Sequence, residues 1–290
     1  MSFIQFARAH GVEIDPARLY PGEKIKRCGT VEKPRSRNGA YFWDGMRGWV
    51  FNWQGQAQVQ WFNDPAAKPW TEAEKAAWKA QRQAQRIRQE QGYQRAAQQA
   101  HELLRTATPG THSYLHSKGF PQAQGLIAQD GALLIPMRHH QTNALQGVQM
   151  IRWLEDERRH EKKMQPYGMK AAGAVHRMGA NNTFETCLVE GYATGLSVLE
   201  ALRGMGVQAV VLVCFSAHNL TLVAQGVHGR AYVFADHDKS GTGQGAAEQT
   251  GLPWCMSPVE GEDANDLHQR AGVLAVRQLL MRVRLQRKVA

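Results

Sequence analysis

The chain has 290 residues, 35 Lys and Arg against 25 Asp and Glu, and a mean hydropathy of −0.48. That length buries one large core or two ordinary ones and excludes wholesale disorder. No run approaches the roughly 20 apolar residues of a membrane helix, and the opening MSFIQFAR lacks the basic-then-apolar pattern of a secretory leader. A cytoplasmic protein of a bacterial or phage-infected cell, with no membrane partner, is the expectation. Cys28, Cys187, Cys214 and Cys255 are scattered, which excludes a disulfide framework and predicts reduced thiols.

Charge is unevenly spread. Lys and Arg outnumber Asp and Glu by 10 to 6 over residues 1–70, 7 to 4 over 71–105 and 9 to 5 over 106–183. The sign reverses to 4 against 10 over 184–270, and 271–290 holds 5 cations and no acid. An acidic island in a basic chain suits a protein that grips phosphates broadly and holds divalent metal in one place.

Residues 1–70 read as a small β-rich module. A short helix from Phe3 to His10 precedes the β-prone run AYFWDGMRGWVFNW, in which Asp44-Gly45 and Arg47-Gly48 are hairpin signals. Its Tyr41, Trp43, Trp49, Trp53 and Trp61 stand near Lys24, Lys26, Arg27, Lys33, Arg35 and Arg37. These rings either form the module's core or stack on single-stranded nucleic acid. Residues 71–105 predict a long solvated helix, a charged connector opened by the capping box Thr71 and Glu74.

Residues 106–183 predict a basic α+β subdomain: a helix ending at Gly119, strands in ALLIPMR and ALQGVQMIRWL, then a turn-rich basic stretch from Glu157 to Gly179. Over 184–270, strands TCLVEG, VQAVVLVC and GRAYVFAD alternate with helices YATGLSVLEALRGMG and SAHNLTLVAQGV, the pattern of a parallel sheet flanked by helices. A basic helix over 264–288 closes the chain, its last part, 271–290, standing apart in composition. The fold class is therefore α/β, with this sheet preceded by the mixed subdomain, the connector and the small β module.

Ligands collect at the carboxyl ends of strands in such sheets. Glu190 ends one predicted strand and precedes Gly191, while Asp236 and Asp238 end another and lead into the Gly-rich loop KSGTGQG. Glu262-Asp263-Ala264-Asn265-Asp266 opens the last helix. Hard Mg²⁺ or Mn²⁺ takes oxygen ligands and keeps waters that phosphate oxygens replace, so acids at separate strand ends suit metal-assisted work on a nucleotide or phosphodiester.

The order LVEGYATGLSVLEAL, YVFADHDKSGTGQ, GEDANDL resembles the Toprim domain of primases, topoisomerases, recombination proteins and nucleases, and within it the primase-type proteins of phages, plasmids and integrated elements. The resemblance implies a metal-dependent primase that copies single-stranded DNA from ribonucleoside triphosphates and works with a separate replicative helicase. Glu190 then serves acid–base chemistry or shares metal, Asp236 and Asp238 form the metal pair, and Asp263 or Asp266 supplies a further ligand. Where cellular primases carry an aspartate four residues after the glutamate, this chain has Thr194, which puts the number of metals in question. Lysines contacting template and nucleotide map to Lys163 and Lys170, followed by Arg152, Lys162 and Arg177.

Other chemistries are poorly served. Cys28 is the only cysteine in the first hundred residues, too few ligands for the zinc ribbon of related primases, so no zinc is expected. SGTGQG lacks the GK[ST] of a P-loop, and His237 reads as a spacer inside DHD. The remaining alternatives are a Toprim nuclease and a non-catalytic DNA-binding replication or recombination accessory protein.

Overall fold

The computed structural model describes residues 1–22, 24–53, 58–64, 71–180 and 183–286. The chain divides into two compact units, Met1–Gln83 and Ala84–Ala290.

In the first unit, helix α1 (Phe3–Ala9) starts at a capping box in which Ser2 and Gln5 each accept from the other's backbone N–H. Strands β1 (Val12–Glu13), β2 (Lys26–Thr30), β3 (Gly39–Trp43), β4 (Arg47–Asn52) and β5 (Gln60–Asn63) follow as an antiparallel sheet in sequential order. The predicted hairpin at Asp44 joins β3 to β4, with Asp44 Oδ1 accepting from the Met46 and Arg47 amides. Alternation along the strands divides the aromatics. Tyr41, Trp43, Val50 and Phe62 pack inward on Phe3, Phe6, Val12 and Ile14. Gly48 has to be glycine, because a Cβ there meets the Phe42 carbonyl oxygen at 2.3 Å and the Phe3 ring at 2.9 Å. Trp49 and Trp61 fall on the other face.

Helix α2 (Glu72–Arg105) begins in this unit and continues into the second. The side chain of its predicted cap Glu74 lies outside the described residues. Within the second unit the last turns of α2 are not solvated: Ala100, Leu103 and Leu104 pack on Leu134, Val148 and Met150.

The second unit holds a ten-stranded sheet. After β6 (Thr108–Gly110), α3 (Ser113–Ser117) and β7 (Gly125–Ile127) come β8 (Leu133–His139), β9 (Leu145–Leu154), β10 (Arg159–Gln165) and β11 (Ala174–Gly179). The chain then alternates: β12 (Glu185–Val189), α4 (Tyr192–Gly204), β13 (Val210–Val213), α5 (Ala217–Ala224), β14 (Arg230–Ala235), α6 (Thr242–Gln249), β15 (Trp254–Met256), α7 (Ala264–Ala271) and α8 (Val273–Leu285). The main path runs β10-β9-β8-β11-β13-β12-β14-β15, parallel from β13 to β15 and antiparallel elsewhere. One face carries α3, α4, α7 and α8 over Leu133, Ile135, Ile151, Val189 and Val211. Its opposite carries α5 and α6 over Leu188, Leu212 and Val233.

Two further expectations need correction. The stretch Glu157 to Gly179, read as turn-rich, contains strands β10 and β11. β10 is an edge strand with mostly exposed side chains, so it lacks the apolar alternation that marks a half-buried strand, and its seven-residue register with β9 sets its conformation. The closing helix is two helices, because Gly272 adopts φ +79° and ends α7 before α8 starts.

Candidate active site

The parallel strands place the acids. From β12 the chain crosses to β13 on one side and then returns to β14 on the other, so the carboxyl ends of β12 and β14 flank a topological switch point. Val189 pairs with Phe234, which sets Glu190 and Asp236 just beyond the ends of adjacent strands. Asp236, His237 and Asp238 lie in the loop after β14, as expected for DHD. His237 serves that loop: its Nδ1 is 2.9 Å from the Ser257 carbonyl, and its backbone pairs with Gly261 and Glu262.

Asp236 is the electrostatic centre. Burial, followed by the charges of Asp263, Glu190, Asp238 and Asp266, pushes its carboxyl up to about 7. Its Oδ1 is buried with no hydrogen-bond partner. Glu190 is also raised, by burial and then by Asp238, and its carboxylate makes no hydrogen bond or ion pair among the described residues. Burial is the larger cause for both groups, and the neighbouring carboxylates add to it.

Asp238 goes the other way. It accepts from the Ser240 hydroxyl and from the amides of Ser240 at 2.9 Å, Thr242 at 3.2 Å and Gly243 at 2.7 Å. The Ser240 hydroxyl and these amides hold the carboxyl down to about 2, so it stays ionised. Gly243 lets α6 begin this close beneath the loop, because a Cβ would meet the Asp236 carbonyl oxygen at 2.3 Å.

Asp263 and Asp266 have structural duties. Asp263 caps α7, its Oδ1 accepting from the amides of Asn265 at 2.6 Å and Asp266 at 2.9 Å, while Asp266 accepts from the Asp263 amide at 3.2 Å. Asp263 Oδ2 accepts from the fully buried Thr194 hydroxyl at 2.9 Å. Thr194 thus ties the first turn of α4 to that of α7. An aspartate at that position would instead set another anion against Asp263.

The cations sort by strand alternation, because residues directly opposite in an antiparallel pair share a face. Lys162 pairs with Ile151, on the face of α3 and α4, and its Nζ lies 5.1 Å from the Tyr114 ring centre. Burial pushes the Tyr114 phenol up to about 12, with Lys118 opposing the rise and Asp263 and Asp266 adding to it. Lys118 Nζ is 3.9 Å from Asp266 Oδ1, and its carbonyl accepts from Asn265 Nδ2 at 2.9 Å.

Lys163 pairs with Met150, on the face of α2, and is 2.8 Å from Glu161. Arg152 shares that face, where it pairs with Asp130 at 2.5 Å and lines a groove of about 930 Å³ with Arg95, Gln98 and Gln99. Lys170 lies over Tyr93 of α2. Arg177 pairs with Leu212, on the α5 face. Of the five cations read from sequence, Lys162 alone is brought to the Tyr114 side. Lys118 was missed; its only sequence signal was its position before Gly119 at a helix end.

An oxygen-only donor set with one orphaned buried oxygen fits a hard divalent cation. As they stand, no three His, Cys, Asp or Glu side chains among the described residues cage an ion, so any ion there completes its shell with water or substrate oxygen. No curated protein matches the chain. The family model of the Toprim domain matches residues 185–273, which begin at β12 and include every acid of the cluster, and that part of the chain is a Toprim domain.

Proposed function

We propose that the chain is a primase-type nucleotidyltransferase. Toprim domains occur in primases, nucleases and topoisomerases and mark metal-dependent work on nucleic acid. The observation that carries the reading is the buried, unpartnered Asp236 Oδ1 among four further carboxylates. Asp236, Glu190 and Asp238 would hold Mg²⁺ or Mn²⁺, with Asp263 and Asp266 shaping the site from the start of α7. Bound there, such a cation would supply Lewis-acid chemistry, lowering the pKa of an attacking hydroxyl and neutralising charge on a triphosphate.

Glu190, half-buried and unpaired, stands at the strand end as the acceptor for the proton of a primer 3′ hydroxyl. Lys162 and Lys118, on the Tyr114 side, offer charge-assisted hydrogen bonds to triphosphate oxygens. Single-stranded DNA is the template in this reading, ribonucleoside triphosphates are the substrates, and a separate helicase opens the duplex. Synthesis is favoured over cleavage by these two lysines, which suit an incoming nucleotide.

The test is incubation with labelled ribonucleotides, single-stranded DNA and Mg²⁺. Short RNA that disappears in Asp236→Asn is the expected product, with a loss of at least about 100-fold. Shortened DNA in place of RNA identifies a nuclease. Neither product, together with no heat on Mg²⁺ titration, identifies an accessory binding protein.

A further inference from the structure

The first unit carries a second surface, independent of the acids. Its sheet is two-sided, and among the described residues α1 packs with Val12 and Ile14 on the inner side. On the outer side, Phe42, Trp49 and Trp61 stand opposite one another on β3, β4 and β5, forming an aromatic row across three strands. Phe51 starts a second row, and Trp53 packs edge-on against it at 4.5 Å. Trp61 is 63% exposed and Trp53 is 48% exposed. Large apolar rings gathered and exposed on one face mark an interaction surface.

The charges on this face choose the ligand. Arg27, outward on β2, lies 3.7 Å from the Trp53 ring centre and is fixed by donation from its Nε to the Arg37 carbonyl at 3.0 Å. Arg47, outward on β4, stands opposite Asn63 at the far end. No Asp or Glu occupies an outward position of β2 to β5. Of the acids around the sheet, Glu13 and Asp15 are paired with Arg8 and Arg18, Asp44 accepts from the amides of its own turn, and Asp64 follows β5. An aromatic row between two guanidinium groups, on strands that themselves carry no acid, is complementary to stacked bases joined by phosphates. A protein partner of ordinary composition has no need of that combination, and a duplex presents no open base faces to it.

We propose that the outer face of this sheet is a sequence-tolerant platform for single-stranded nucleic acid. Bases stack on Trp49, Trp61 and Phe42, and phosphates run along Arg27 and Arg47. The platform holds strand without any metal, which separates it from the Toprim site.

The test uses the full chain in EDTA, with anisotropy of labelled oligo-dT, oligo-U and a duplex of equal length, alongside quenching of tryptophan fluorescence. Both single strands should bind more tightly than the duplex and quench the fluorescence. Trp49→Ala and Trp61→Ala should each weaken binding at least about fivefold, as expected for loss of one stacked ring. Trp61→Phe, which keeps a ring at an exposed position, should stay within about twofold of wild type. Circular dichroism and melting of Trp61→Ala check that the sheet is intact. Unchanged affinity in a folded Trp49→Ala/Trp61→Ala double variant, or duplex bound as tightly as single strand, overturns the proposal.

Discussion

Asp236 sits where its charge is least welcome, and that is measurable without substrate. Its carboxyl is raised to about 7 against an ordinary value of 3.8. Between those pH values the folded chain holds a proton that the unfolded chain has lost. Stability from this group is therefore complete below about pH 4 and drains away as pH rises towards 7, by up to about 1.4 kcal/mol per unit. With a chelator present, Asp236→Asn should be more stable than wild type at pH 8 and equal to it near pH 4; denaturant unfolding at the two pH values checks this. A variant that gains nothing at pH 8 would show that the carboxylates do not crowd one another. Among the cations, Lys162→Ala should lower kcat/KM for primer synthesis about tenfold or more, while Lys163→Ala should stay within about twofold. The sequence could not separate these neighbours: both belong to one basic run, and only pairing with Ile151 or Met150 decides which face each takes.

Elements hold the site through their first turns. Thr194 near the start of α4 and Asp263 at the start of α7 share a part-buried hydrogen bond, and the buried pair Ser197 and Asn265 extends the contact. Thr194→Val keeps the shape and leaves Asp263 Oδ2 without its donor, so it should cost about 1–3 kcal/mol, read from denaturant midpoints. Glu185 makes a comparable clamp at the other end of β12, accepting from Arg284 of α8 at 2.5 Å and from the Tyr232 hydroxyl at 2.8 Å. Much at this scale was legible. The strands and helices from 186 to 227 follow apolar periodicity, and Asp263 with Asp266 has the three-residue spacing of a capping box, beside the expectation that one or the other supplies a further metal ligand. β10 was not legible, because an exposed edge strand is specified by its partner's backbone and not by its own pattern.

At the scale of the whole molecule, sequence distance and spatial distance part company in an instructive way. Glu190, Asp236 and Asp263 are remote along the chain, yet the strand order β13-β12-β14 turns them to one sheet end. The place of Glu190 and Asp236 beyond adjacent strand ends followed from strand-ending acids in an alternating α/β pattern, so where these two acids stand was readable before the fold. The cations around it and the split of the N-terminal aromatics were not, since both depend on which side of a strand a residue takes. The acidic reversal over 184–270 coincides with this sheet end, and the basic remainder of the chain surrounds it in sequence.

The most direct measurement is Mn²⁺ uptake followed by the electron paramagnetic resonance of the free ion, in the absence of nucleic acid and nucleotide. Wild type should take up Mn²⁺ saturably, and Asp236→Asn and Glu190→Gln should each weaken uptake about tenfold or more. Equal uptake by wild type and both variants would contradict the account, because the carboxylates gathered at the switch point would then not be what holds the metal.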